Sequence, residues 1–297
     1  MTRDPRETET ASSRYAAIED WPTGDLVGAL IDSQYAAIAA VQATQAVMGE
    51  AIDRATLRLA RGGRLIYMGA GTSGRIATQD AVELRPTFSW PESRSVVLMA
   101  GGEAAFTKAR EGAEDSEAEA VAALDAAGVG EHDVVLGLAA SGTTPYTLAG
   151  LRHARNRGAL AIGFSNNLGS PMREAATLCI EMDTGAEPVA GSTRMKAGTA
   201  QKVALNAFST AVMIRLGHVY KGLMVEMKPT NAKLKARAVR IVADLTGKPE
   251  WTATEALDAA GGSIKLAAIM LLRGLSLNDA QALLDRASGN LRRALEG

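Results

Sequence analysis

The sequence predicts an α/β protein: a three-layer sandwich with a mainly parallel five-stranded sheet, N-terminal helices and a small C-terminal helical domain. Three observations carry that expectation. Five short runs, RLIYMGAG (64–71), SVVLMAGG (95–102), DVVLGLAASG (133–142), LAIGFSNN (160–167) and LCIEMDTG (178–185), are continuously apolar rather than alternating, as strands buried on both faces are. Helix-like stretches such as Ala104–Leu124 and Pro145–Arg157 separate most of them, and that repetition implies parallel pairing with helices on both sides. Glycine, serine and threonine cluster where the runs end, the edge at which such sheets hold ligands.

In order along the chain, residues 1–20 are polar and read as a flexible arm or a strap needing a partner surface. Asp25 is placed to cap a helix carrying Leu26, Leu30 and Ile31. An Ala-rich helix then continues through Val41, Val47 and Ile52 to Leu59, where Gly62-Gly63 stops it. After the fifth run, TGAEPVAGSTRMKAGTAQK leads into an apolar helix, Val203–Leu216, and a second polar stretch, EMKPTNAKLKARA, follows. From Thr252 the pattern gives three short helices: a capping box at Thr252 and Glu255, a break at Gly261-Gly262, an apolar Ile264–Leu272, and a restart at Ser276 and Asp279. The expected divisions are an N-terminal arm and helices (1–53), a phosphosugar-binding domain (54–217), a helical connection (218–250) and a three-helix C-terminal domain (251–297).

Composition narrows the function classes. The 297 residues are 47% hydrophobic and 22% charged, ordinary globular usage, and 32 Lys+Arg against 33 Asp+Glu give a net charge of −1. That balance supplies no general attraction to nucleic acid or an anionic membrane. No apolar run approaches about 18 uninterrupted residues, so no transmembrane helix is expected. The mixed-charge start MTRDPRETETASSR does not read as a signal peptide. One cysteine, Cys179, cannot form an internal disulfide, and His132, His153 and His218 are too scattered for a zinc site. The expectation is a cytoplasmic protein with no metal, no nucleic-acid partner and no membrane partner.

Two loops stand out as carriers of chemistry. GAGTSGR (69–75) follows the first run and AASGTTP (139–145) the third, and each opens a helix. Glycines let backbone N–H groups approach an anion, and Ser and Thr hydroxyls add donors at a helix N-terminus whose dipole favours negative charge. Thr72, Ser73, Ser141, Thr143 and Thr144 are therefore candidates to hold a phosphate. Gly69, Gly71 and Gly74 match the bare G-x-G-x-x-G spacing, a weak signal by itself, and no G-x-x-x-x-G-K-[ST] occurs, which disfavours a P-loop site. One such loop is weak evidence against an ordinary strand-to-helix turn. Two in equivalent positions favour phosphate.

The block GSTRMKAGTAQK (191–202) concentrates Arg194, Lys196 and Lys202 with Ser192, Thr193 and Thr199, punctured by Gly191 and Gly198. A solvated helix start is the bland reading; a ligand or subunit contact is the sharper one. Cys179 and His218 read as structural, and His132 and His153 as surface residues. Glu83 sits on the helix opened by the first loop. By composition alone, Glu114 is one acid among many in AREGAEDSEAEA. The residues alone reach a phosphorylated small molecule and stop short of the reaction.

The two loops together resemble the sugar isomerase (SIS) domain. Taken with DAVELRPTF, GGEAAF, AREGAEDS, GFSNN, TGAEPVAGSTRMKAGTAQK and MKPTNAKL, in that order over roughly residues 7–297, the chain resembles the N-acetylmuramic acid 6-phosphate etherase family. The resemblance implies an SIS-type fold, a homodimer without metal or organic cofactor, and a phosphosugar substrate. The implied reaction is cleavage of the D-lactyl ether of N-acetylmuramic acid 6-phosphate to N-acetylglucosamine 6-phosphate and D-lactate, in bacterial cell-wall sugar recycling. It places the catalytic acid at Glu83 and a second catalytic glutamate at Glu114, here taken as the base. It also places Thr72, Ser73, Ser141, Thr143, Thr144, Ser192, Arg194 and Lys196 around substrate. The chain departs from the family pattern at Val82, often Ser, and Arg85, often Pro.

The implied chemistry suits those residue types. In the open-chain sugar the C2 proton is acidified by the C1 aldehyde; Glu114 removes it and Glu83 protonates the departing lactate oxygen at C3. Water then adds at C3. Positioned acid–base groups contribute roughly 10²–10⁴-fold. The rivals are another SIS enzyme, a phosphosugar isomerase that releases no lactate, and a non-catalytic phosphosugar-binding regulator, which the presence of both glutamates disfavours.

Overall fold

The computed structural model describes residues 6–108 and 110–297. The chain divides into two compact units, Met1–Val82 with Glu92–Ser209, and Glu83–Pro91 with Thr210–Gly297. The predicted arm at 1–20 falls partly outside the described residues, at 1–5, and the predicted helix Ala104–Leu124 includes Ala109, also outside them.

The larger unit begins with helices α1 (Thr23–Ala43) and α2 (Gln45–Leu59). The sequence predicted one continuous helix. Thr44 divides it: its hydroxyl donates to the Val41 carbonyl at 2.7 Å, and its backbone leaves helical geometry at ψ 4°. Helix α1 is long and apolar enough, by length and composition, to cross a membrane, with a mean hydropathy of 1.3. A count of uninterrupted apolar residues misses it because Asp25, Asp32 and Ser33 interrupt the run. Here Ser33, Ala37, Ala40 and Val41 are buried, and Thr199 Oγ1 donates to Gln34 Oε1 at 2.7 Å.

The five predicted strands all form: β1 (Leu65–Gly69), β2 (Ser95–Met99), β3 (Val134–Leu138), β4 (Leu160–Ser165) and β5 (Leu178–Glu181). All pairings are parallel, in the order β2-β1-β3-β4-β5. Every residue of β1, β3 and β4 is buried, which is why those runs are apolar without alternation. Ile66, Met68, Val135 and Ala161 pack on helices α4 (Glu117–Ala126) and α5 (Pro145–Asn156) through Ala120, Leu124, Leu148 and Leu151. A short helix α6 (Met172–Ala175) adds Met172 to that layer. Phe164, from the same strand as Ala161, meets Phe208 edge-on, with centroids 6.1 Å apart.

The order 2-1-3 places a topological switch between β1 and β3, because the chain leaves β1 toward one edge and returns to its other side. Helix α3 (Gly71–Phe88) follows β1 and α5 follows β3. Helix α7 (Lys196–Arg215) starts earlier than predicted and takes in the end of the 191–202 block. The Glu187 carboxylate caps it, accepting from the Lys196 and Ala197 N–H groups at 3.2 and 2.9 Å. A partner nine residues upstream leaves no local pattern to read.

The predicted helix over Ala104–Leu124 is mostly absent. Two 3₁₀ turns, Glu103–Phe106 and Ala113–Asp115, precede α4, which Ser116 caps through its side chain. Gly112 has φ +74°, a conformation a helix interior forbids, so the alternating acids of this stretch mislead a periodicity count.

The smaller unit contains a two-stranded ladder, β6 (Val219–Tyr220) with β7 (Leu223–Met224), and helices α8 (Ala232–Thr246), α9 (Glu250–Ala259), α10 (Ile264–Arg273), α11 (Leu277–Arg286) and α12 (Leu291–Glu296). Helix α9 begins at Glu250 after Pro249, so the predicted Thr252 cap lies inside it. Ser276 does cap α11. A fourth helix in the tail, α12, escapes the sequence reading because six residues carry too little periodicity; the Asn290 side chain starts it. Ala253, Leu257, Ile264, Ile269, Leu284 and Leu291 form its core with α8. Buried Lys265 pairs with Glu226 and donates to the Gly289 carbonyl at 2.6 Å.

Candidate active site

The loops after β1 and β3 meet across the switch point in one cleft of about 370 Å³. Gly71, Thr72 and Ser73 come from the first, and Ala140, Ser141, Thr143 and Thr144 from the second. All five predicted phosphate-binding hydroxyls therefore line a single cavity at the carboxyl ends of the strands.

Packing forces both turns. A Cβ on Gly74 would lie 2.7 Å from the Gly69 carbonyl oxygen and 2.3 Å from the Met99 sulfur, so only glycine lets α3 start this close to β1. Gly142 has φ +69°, and its Cβ would lie 2.2 Å from Ser170 Oγ. Arg75, one residue past the last glycine of the first loop, has a structural duty: its guanidinium donates to the Ala105 and Phe106 carbonyls at 2.9 and 3.1 Å. That holds the connection leading toward the Ala113–Asp115 turn.

Within the second loop, Thr143 donates to Ser141 Oγ through its backbone N–H at 3.2 Å and its hydroxyl at 3.0 Å. Thr144 stands at the N-cap of α5 with Pro145 in the first turn, and its side chain makes no capping bond. The cleft thus has helix N-termini on two sides, from helices of 18 and 12 residues, whose dipoles and unpaired N–H groups favour an anion.

Glu114 also lines this cleft, held on the Ala113–Asp115 turn beside Asp115, and it borders an adjoining pocket with Arg75 and Arg110. The second predicted glutamate, Glu83, is exposed on α3, twelve residues beyond Gly71, and belongs to the smaller unit. One turn earlier on that helix, buried Asp80 accepts hydrogen bonds from Tyr67 Oη (2.9 Å), Asn206 Nδ2 (2.7 Å) and Ser209 Oγ (3.0 Å). Burial and the Asp80 charge push the Tyr67 phenol well above its usual pKa, so it stays a neutral donor.

The third block divides. Thr193 lines the cleft, whereas Ser192, Arg194 and Lys196 are not among its lining residues. Arg194 is exposed, and Lys196 is 6% exposed. Burial lowers the Lys196 pKa against the opposing pull of Glu187, and burial raises that of Glu187 against its bonds to the α7 N–H groups. Sequence reasoning missed Arg6, Glu9 and Asp115 as cleft residues, and Asp80 and Glu187 as buried carboxylates. Thr193 is the one residue of the third block that lines the cleft; Arg6 and Glu9 had no signal in a polar segment without periodicity.

A model of the glucokinase regulatory protein N-terminal SIS domain matches residues 46–155. An N-acetylmuramic acid 6-phosphate etherase from Deinococcus radiodurans is 48% identical over 98% of this chain and 96% of its own. One from Mycolicibacterium smegmatis is 45% identical over 97% of each. Among solved structures, a phosphoheptose isomerase from Francisella tularensis superposes with a TM-score of 0.49 at 14% identity, over 65% of this chain and 100% of its own.

Proposed function

Because the chain belongs to the N-acetylmuramic acid 6-phosphate etherase family, we propose that the cleft between the β1 and β3 loops is its catalytic site. The enzyme cleaves the D-lactyl ether of N-acetylmuramic acid 6-phosphate, giving N-acetylglucosamine 6-phosphate and D-lactate, in recycling of cell-wall sugar. The observation that carries the site assignment is the gathering of Thr72, Ser73, Ser141, Thr143 and Thr144 with Glu114 in one cavity.

In this reading the hydroxyls and the two helix N-termini hold the 6-phosphate. Glu114 takes the C2 proton of the open-chain sugar, whose negative charge passes toward the C1 aldehyde oxygen. The acid that gives its proton to the lactate oxygen as the C3–O bond breaks is assigned to Glu83 by the family resemblance alone, since Glu83 is not among the residues lining the cleft. The 2,3-unsaturated aldehyde then takes up water at C3, the oxygen bonding there and a proton returning to C2. Two carboxyl groups suffice for this sequence, with no metal or organic cofactor. Ser192, Arg194 and Lys196 do not line the cleft, and the Glu187 carboxylate fixes the start of α7 through the Lys196 and Ala197 N–H groups.

Further parts of the reading concern assembly. Residues 54–217 are the phosphosugar-binding domain, between an N-terminal arm with helices (1–53), a helical connection (218–250) and a C-terminal helical domain (251–297). The enzyme is a cytoplasmic homodimer. Val27, Ile31, Tyr35 and Ile38 of α1 are 48–72% exposed and recur at helical spacing as one stripe, which a second copy of the chain covers.

The test is D-lactate release from N-acetylmuramic acid 6-phosphate by the purified protein with EDTA present. Stoichiometric lactate is expected, with Glu83→Ala and Glu114→Gln both folded and at least about 100-fold slower. Near-wild-type turnover in either variant would overturn that residue's role. Substrate binding without lactate would favour an isomerase or a regulator.

A further inference from the structure

The etherase reading leaves one wall of the cleft without a role. Residues 6–10 cross the site as a strap: Glu7–Glu9 form a 3₁₀ turn, and Arg6 and Glu9 both line the cleft. Thr8, between them, is fully buried. Its N–H donates to Asn167 Oδ1 at 3.3 Å, Asn167 Nδ2 donates to Thr8 Oγ1 at 3.0 Å, and the Gly191 N–H donates to the Thr8 carbonyl at 3.0 Å. The same Asn167 amide donates to the Ala140 carbonyl at 3.0 Å, one residue before Ser141. A single buried asparagine therefore ties the strap to the phosphate loop. On the other side, a Cβ at Gly191 would lie 3.1 Å from Glu9 Oε2, so the strap also lies close against the 191 loop.

Charge gives this placement a consequence. Among the described residues lining the cleft, Arg6 is the only cation, against the carboxylates Glu9, Glu114 and Asp115. The substrate carries two anionic groups, its 6-phosphate and its lactyl carboxylate. Hydroxyls and helix N-termini supply partial positive charge, and three carboxylates oppose an incoming anion. A guanidinium offers a full charge with paired N–H donors matched to two oxygens of either group.

We propose that Arg6 is a substrate-binding residue, held in the cleft wall by the Thr8–Asn167 clamp, and that it takes an oxyanion of the substrate. This rests on the etherase reading, so wild-type lactate release is measured first; its absence would count against that reading. The proposal itself is read from KM and kcat for lactate release and from the Kd of N-acetylglucosamine 6-phosphate, which keeps the phosphate and lacks the lactyl group. Arg6→Gln is expected to raise KM about tenfold or more, Arg6→Lys to restore part of the loss, and Thr8→Val to shift KM the same way. A matching rise in Kd assigns Arg6 to the phosphate. A rise in KM with Kd unchanged assigns it to the lactyl carboxylate. Unchanged KM and Kd in Arg6→Gln, or a KM that Arg6→Lys leaves unrestored, would overturn the proposal.

Discussion

At the amino ends of the sheet strands, charged side chains are consumed by each other and by the backbone. Asp133 accepts from the Arg64 guanidinium at 2.7 and 3.1 Å, from the Arg64 N–H at 3.0 Å and from the Gly130 N–H at 3.0 Å. Arg94 donates to the Gly63 carbonyl at 2.9 Å, and Arg58 to the Gly158 carbonyl at 2.8 Å. At the carboxyl ends, hydroxyls and carboxylates line a cleft, and the bonds between Thr143 and Ser141 shape the loop around it. The difference teaches that polar residues flanking a buried sheet are not equivalent. One edge uses them to close the fold, and the edge with helix N-termini at a topological switch uses them to receive an anion.

Breaking the closed edge gives the largest expected change. Burial alone would raise the Asp133 pKa, but Arg64 and the two N–H donors outweigh it and hold the carboxyl below its usual value. A depressed folded pKa means stability that is present above the unfolded value near 4 and lost as pH falls through the folded one. Asp133→Ala should cost about 3 kcal/mol, because it takes the carboxylate from a partly buried Arg64, which keeps only the Ala127 and Gly128 carbonyls, and removes the acceptor of the Arg64 and Gly130 N–H groups. Thermal denaturation should show a Tm lower by roughly 5–10 °C at pH 7, a gap that narrows below pH 4, and an unchanged KM. A raised KM with intact stability would contradict the division between the two edges.

At the open edge the expected effect is smaller and of the opposite kind. Ser141→Ala removes one hydroxyl from the phosphate cleft, about 1.5 kcal/mol, or roughly tenfold in KM, with Tm nearly unchanged. A several-degree loss of Tm without a KM change would make Ser141 a structural residue and place it with the closed edge.

The sheet was legible in the sequence because it rests on local pattern; the closed edge was not, since Arg64 meets Asp133 across 69 residues. Continuous apolar runs mark β1, β3 and β4, and the loops at Thr72 and Ser141 carry their own turn chemistry. What stayed illegible depends on partners far along the chain. Thr8 finds Asn167 across 159 residues, and no spacing announces it. Lys196 looked like a ligand for an anion, yet it is buried beside Glu187. Glu114 could be placed only by resemblance, because the Gly112 turn that presents it hides within an acidic stretch that mimics a helix.

The most direct measurement is amide hydrogen–deuterium exchange with and without saturating N-acetylglucosamine 6-phosphate. Occupation of the switch-point cleft predicts slower exchange at residues 70–73 and 141–144, including the N-terminal turn of α3, with residues 58–64 and 128–133 unchanged. Protection confined to the 58–64 and 128–133 edge would contradict the assignment of the phosphosugar to the carboxyl ends of the sheet.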